Sequence, residues 1–222
     1  ANLLRLQPGE SIASILSVRE FEEDKFVMVA TERGIVKKTS LMAYSKSRQG
    51  GIIGLTIDDG DRVIGAELCD GESDILLATE KGFSIRFSEK EVRPIGRTGR
   101  GVRGIRLKKG DRVVGAEIVQ PGNKFLTVTS KGYGKRTRME EYPVQGRGGL
   151  GVMTIRCNEK IGTVVGVQQV DEADQLLVIT SNGNIVRMRV NEISVIGRNT
   201  QGVRLVGIGE GNQVVSIEKL VE

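Results

Sequence analysis

Hydrophobic residues in this chain fall in short runs that alternate with polar ones, and each run ends in turn-forming residues before a helical stripe can develop. Residues 60–107 show this most clearly. "RVIGAEL", "DILLAT", "FSIRF" and "GVRGIRL" read as four β-type segments separated by turn-formers such as "CDGES" and "TEKG". Alternation with a period of two predicts strands, and no convincing apolar stripe of period 3.6 interrupts it. The pattern predicts an all-β chain.

The same four segments recur. "TERGIVKK", "TEKGFSIR", "SKGYGKR" and "TSNGNIVR" place turn glycines at Gly34, Gly82, Gly132 and Gly183, at intervals of 48, 50 and 51 residues. A glycine in each hairpin supplies the positive φ that a short turn needs. "GDRVIGA" returns as "GDRVVGA", "TVVGV" and "NQVVSI", and "GVRGIRL" has counterparts in "GIIGLTI", "GVMTIRC" and "GVRLVGI". A period near fifty residues with four strands per unit predicts a single domain over 1–222 built of propeller-like blades. The chain is expected to start inside one repeat and to stop after the first strand of another, so that most of a first blade is missing.

Charge follows the same period. Four residues after each turn glycine stands a cation, Lys38, Arg86, Arg136 or Arg187, and alternation puts it on a polar strand face with Arg138 and Arg189. The opposite face is more apolar and is expected to pack between blades, with Lys37 and Lys135 near an edge. A second cluster lies in the glycine-rich loops before each last strand: Arg97 and Arg100, Arg147, Arg198, and in the first repeat Lys46 and Arg48. Such loops let backbone amides and guanidinium groups approach a phosphate closely. Two cations per blade at fixed register would form a basic band that a long polyanion could follow, although any single one of them reads equally as a solvated strand or loop residue.

Composition narrows the chemistry. Lysine and arginine number 33 against 28 aspartate and glutamate, a net charge of +5 over 222 residues, so a basic patch must come from arrangement. There is no histidine, which removes Ser-His-Asp, Cys-His and His-metal sites. Cys69 and Cys157 fit neither a disulfide framework nor a zinc site and read as thiols in a reducing compartment. "EFEEDK" and "DEAD" fall in loops and read as solvated turns. "GRGGLG" leads into a strand, without the helix a dinucleotide site uses. Three tyrosines, five phenylalanines and no tryptophan argue against a stacking platform for single strands. No segment reads as a secretion signal or a membrane span. A soluble, cytoplasmic, non-catalytic module without cofactor or metal is expected.

"TERGIVKKTSL", "KGYGKRTRMEEYP", "GRTGRGVRGIRL" and "VNEISVIGRNTQGVRL" resemble the C-terminal domain of the DNA gyrase A subunit over essentially the whole chain. The resemblance implies a β-pinwheel, whose blades exchange strands, and a basic rim that wraps double-stranded DNA. It implies as partners the gyrase A N-terminal region and the B subunit, which hydrolyses ATP. The family's catalytic tyrosine lies outside this chain, so Tyr44, Tyr133 and Tyr142 are not nucleophiles. The rim role carries onto Lys37, Lys38, Arg86, Lys135, Arg136, Arg138, Arg187, Arg189 and the loop cations. One departure stands out: the family's Q-R-R-G-G-K-G box is matched only by "QGRGGLG" at 145–151, in a later blade. That leaves, as a rival, a DNA-geometry-selecting domain like the one in the A subunit of topoisomerase IV. A protein-interaction propeller is the other alternative.

Overall fold

The computed structural model describes residue 6, residues 8–46 and residues 51–220. The chain opens with a hairpin of β1 (Phe26–Thr31) and β2 (Ile35–Ser40), and one run of elements then occurs three times. Its first pass is an inner strand β3 (Val63–Cys69), a hairpin β4 (Asp74–Thr79) and β5 (Phe83–Ser88), and a two-residue outer strand β6 (Val102–Arg103). The second is β7 (Val113–Ile118), β8 (Lys124–Thr129), β9 (Tyr133–Arg138) and β10 (Val152–Met153). The third is β11 (Val164–Val170), β12 (Gln175–Thr180), β13 (Ile185–Arg189) and β14 (Val203–Arg204), after which β15 (Val214–Leu220) ends the series. A one-turn 3-10 helix follows each hairpin, at Leu41–Tyr44, Glu89–Glu91, Met139–Glu141 and Val190–Glu192.

The strands form four small antiparallel sheets, in the orders β3-β1-β2-β6, β7-β4-β5-β10, β11-β8-β9-β14 and β15-β12-β13. Each outer strand therefore crosses back to the preceding hairpin: Arg103 pairs with Ile35, Met153 with Phe83 and Arg204 with Tyr133. The fourth sheet has three strands among the described residues. This is a four-blade, propeller-like arrangement in which neighbouring blades are tied by exchanged strands.

The turn glycines do more than close hairpins. Gly34, Gly82, Gly132 and Gly183 have φ of 79°, 83°, 78° and 82°, and each donates its amide to the carbonyl of the threonine three residues earlier. In addition, the carbonyl of Gly82 accepts from Thr154 and that of Gly132 from Leu205, so the next repeat's chain lies across the turn. A Cβ on Gly82 would sit 2.3 Å from the Ile155 carbonyl oxygen, and one on Gly132 2.6 Å from that of Val206.

Apolar residues collect between blades. One cluster joins Met28, Ala30 and Val36 of the first sheet to Ile75, Leu77, Ile85 and Phe87 of the second. A second joins Leu76 and Ala78 to Phe125, Tyr142 and Val164, and a third joins Leu126 and Val128 to Leu176, Val178 and Ile217. Val36 comes from the face read as polar, and Ile85 and Phe87 from the face read as apolar. The polar face of one hairpin is thus pressed against the apolar face of the next. Stacking covers both sides of the interior sheets, as helices do for a parallel sheet.

Candidate nucleic-acid interface

The outer edge is built by pairing each rim loop with the outer segment of the repeat before it. Thr56 donates its amide to the Gly99 carbonyl at 3.3 Å, Arg106 to Gly149 at 2.8 Å and Arg156 to Thr200 at 2.8 Å. The loop arginines staple the same seams: Nη1 of Arg97 donates to the Ile53 carbonyl (2.8 Å), that of Arg147 to Arg103 (3.1 Å) and that of Arg198 to Met153 (3.0 Å). Arg147 also donates its amide to the Glu91 carboxylate, and Arg198 its amide to that of Glu141. Much of the hydrogen-bonding capacity of these three arginines therefore serves the rim itself.

Along that edge lie further arginines. Arg100 sits in its loop and pairs with Asp58; Arg103 and Arg204 stand on the outer strands, and Arg106 and Arg156 just beyond them. Four of these, Arg103, Arg106, Arg156 and Arg204, were missed by counting cations from the turn glycine. The signal was available in "GVRGIRL", "GVMTIRC" and "GVRLVGI", where arginine fills the third or the sixth position. The aromatic rings nearby carry lysines: the Lys108 ammonium lies 3.7 Å from the Phe83 ring centre and that of Lys160 5.7 Å from that of Tyr133.

The cations four residues after the turn glycine lie elsewhere, which corrects the expectation of an exposed band. Lys38 is buried and donates to the Glu89 carbonyl and carboxylate at 3.0 and 3.2 Å. Arg86 binds Asp74 at 2.8 Å and the Met139 carbonyl at 3.0 Å. Arg136 is buried and reaches the Ile193 carbonyl (2.7 Å), the Asn191 carbonyl (3.2 Å) and Glu172 (2.7 Å). Each crosses to the 3-10 turn of the following repeat and satisfies carbonyls there. The charge is periodic because the seam between blades is periodic. In the fourth sheet, Arg187 is exposed and donates to Gln175.

Lys37 and Lys135, expected near an edge, are 1% and 0% exposed. Nζ of Lys37 donates to the carbonyls of Gly54 (2.6 Å) and Arg97 (2.5 Å). Nζ of Lys135 donates to those of Gly197 (2.5 Å) and Arg198 and to Thr200 Oγ1 (3.1 Å). Burial lowers both ammonium pKa values, that of Lys135 to about 8. Of the remaining expected rim residues, Lys46, Arg138 and Arg189 are exposed, and Arg48 lies outside the described residues.

No group of acidic or sulfur side chains among the described residues could hold a metal ion. Burial pushes the Cys69 thiol up to about 12 and that of Cys157 to about 11, which makes both poor nucleophiles. Two inner-strand carboxylates act as backbone acceptors: Glu67 takes the Ile118 amide at 2.9 Å and Glu117 the Gln169 amide at 3.2 Å. Burial raises both, that of Glu67 to about 7 with help from the neighbouring Glu117 charge.

Exchanged strands, inter-blade cores and an arginine-lined outer edge define a β-pinwheel with a basic rim. A family model described as DNA gyrase C-terminal domain, beta-propeller matches residues 25–70, 73–120, 123–171 and 174–220. The chain belongs to this family. It is 47% identical over 221 residues to the DNA gyrase A subunit of Salmonella typhimurium and 55% identical over 221 residues to that of Buchnera aphidicola. All of this chain is covered in both, but it spans only 25% and 27% of those relatives' lengths. Among solved structures, the C-terminal domain of a DNA topoisomerase IV aligns with a TM-score of 0.92 at 25% identity, covering 99% of this chain and 69% of that one. A DNA gyrase A C-terminal domain aligns with a TM-score of 0.88 at 25% identity, covering 99% and 73%.

Proposed function

We propose that this chain is the DNA-binding and DNA-wrapping module of a gyrase A subunit, without catalytic groups of its own. In this reading it works in the cytoplasm, beside the N-terminal region of the same polypeptide and the B subunit, in a type II topoisomerase that supercoils DNA at the expense of ATP. The observation that carries the reading is the recurrence of arginines along the outer edge: Arg100, Arg103, Arg106, Arg156 and Arg204. Duplex DNA carries a phosphate charge every ~1.7 Å of axis, and each one neutralised releases counterions. Bending 20–30 base pairs costs about 1–6 kcal/mol, so a wrap needs contacts from several blades. Of the residues first assigned to the rim, the loop arginines together with Arg138 and Arg189 keep a phosphate-contact role here. Lys38, Arg86 and Arg136 are given to the blade seams.

The test is duplex affinity across a salt series. Replacing Arg103, Arg156 and Arg204 together by glutamine is expected to flatten the slope of log K against log salt by up to about 3. An unchanged slope with unchanged affinity would overturn the rim. The likeness to a topoisomerase IV domain supports a second reading, in which the rim binds and bends DNA without a chiral wrap.

A further inference from the structure

The position three residues after the turn glycine is occupied by Lys37, Ile85, Lys135 and Val186 in successive repeats. Ile85 shows that an apolar side chain suits this site. It is fully buried, and its Cδ1 lies 3.5 Å from where a Cβ on Gly149 would stand, beneath the middle rim loop. That loop is pinned from the side, by the Gly148 amide donating to the Gly104 carbonyl at 2.6 Å. The fold therefore does not need an ammonium there, and burying one is unfavourable until its partners compensate for the lost hydration. Where the lysine occurs, its partners are the main chain of the overlying loop: the Arg97 carbonyl for Lys37, and those of Gly197 and Arg198 for Lys135, with Thr200 Oγ1 as a third acceptor. Thr200 Oγ1 in turn donates to the Gly197 carbonyl at 2.9 Å, which closes a small ring of polar contacts around the ammonium.

In a trans peptide the C=O of one residue and the N–H of the next point in opposite directions. With the Arg97 and Arg198 carbonyls drawn inward onto an ammonium, the amides of Thr98 and Asn199 are turned outward. The guanidinium groups of Arg97 and Arg198 leave the same two peptides along the stapled seams already described. We propose that Lys37 and Lys135 are positioning residues for phosphate recognition: each holds one rim loop from beneath so that a peptide N–H and the loop arginine face a DNA phosphate. The inference rests on the reading of the rim as a DNA-binding surface. It differs from the expected role of these lysines, because neither ammonium touches DNA.

The charged groups that face the Lys135 ammonium are Glu141 and Arg198, and the one that faces Lys37 is Arg97. Burial lets Lys135 lose its proton near 8, within the range of the experiment. The experiment is duplex affinity of the wild-type chain and of Lys135→Met at constant ionic strength from about pH 7 to about pH 9, with amide exchange followed over residues 197–202. The wild type is expected to lose about tenfold across this range, the worth of one charge-assisted contact. Lys135→Met is expected to be about tenfold weaker already at pH 7 and flat thereafter, with faster exchange in the loop. Subtracting the two profiles removes titrations that both proteins share.

Arg204→Gln supplies the control for the surface itself: it is expected to weaken binding at every pH and to keep the pH dependence. A folded Lys135→Met that binds like wild type, while Arg204→Gln is weakened, overturns the positioning role and leaves the rim standing. If neither substitution changes affinity, the rim reading fails and this inference with it. Should Lys135→Met not fold, the wild-type profile decides together with Lys135→Gln: a flat profile overturns the role, and a tenfold fall supports it.

Discussion

Replacing Arg136 by methionine separates a seam residue from a DNA contact. The side chain is 5% exposed and spends its donors on the Ile193 and Asn191 carbonyls and on Glu172, all in the fourth repeat. Methionine fills much of the volume but leaves the two turn carbonyls without a donor. Hydrogen bonds from a charged group are worth about 1.5–3 kcal/mol each, and breaking a buried ionic contact costs about 3–5 kcal/mol. Because Glu172 is half exposed and can turn to water, the loss is set nearer the lower bound, at about 3 kcal/mol. In a chain of this size that lowers Tm by about 6–12 °C. Blades in series behave as coupled neighbours, so the loosening should be local. Calorimetry gives the size, and amide exchange should place it in β12, β13 and the Val190–Glu192 turn. Duplex affinity of the folded variant should stay within about twofold of wild type, since no rim residue has been touched. A variant with wild-type Tm and weakened DNA binding would refute the seam assignment.

The Glu67 carboxyl is held near 7 in the folded protein against 4.5 unfolded, so the folded state keeps its proton more tightly. From this group alone, stability should therefore be full below about pH 4.5, erode as pH rises toward 7, and level off above, by about 3 kcal/mol at most; Glu67→Gln should reduce the slope in urea titrations and leave the part of the same sign that the buried Glu117 contributes. Gly132→Ala should destabilise by more than about 2 kcal/mol, the positive-φ strain plus a clash with the Val206 carbonyl. Gly183→Ala, at φ +82° with nothing within 4 Å, should cost only about 1 kcal/mol, and the difference between the two Tm values tests the close approach. Cys69 and Cys157 should resist thiol reagents in the native state near pH 8 and react once urea unfolds the chain, because burial raises both thiols.

The strands and hairpin turns were legible because period-two runs bounded by Gly34, Gly82, Gly132 and Gly183 depend on local chemistry alone. The exchange of Arg103, Met153 and Arg204 onto the preceding hairpins was not, since a two-residue strand says nothing about its partner; only the resemblance implied it. Alternation placed Lys38, Arg86 and Arg136 on one face but could not say whether water or the next blade covers it. Exposure of a face is a property of stacking. The loop arginines were found as a recurring set, yet their bonds to Ile53, Arg103 and Met153 join residues more than forty positions apart. Glu67 and Glu117 looked like ordinary polar positions of an alternating strand, because the amides they accept belong to the next inner strand.

Wrapping of duplex DNA around the rim can be read from a plasmid as a topological footprint. Relaxed plasmid is incubated with the chain, a type I topoisomerase removes unconstrained writhe, the protein is stripped, and supercoils are counted. A wrapping rim should give a shift in linking number that grows with protein and disappears when Arg103, Arg156 and Arg204 are replaced by glutamine. Tight binding with no change in linking number would mean that the rim holds DNA without wrapping it.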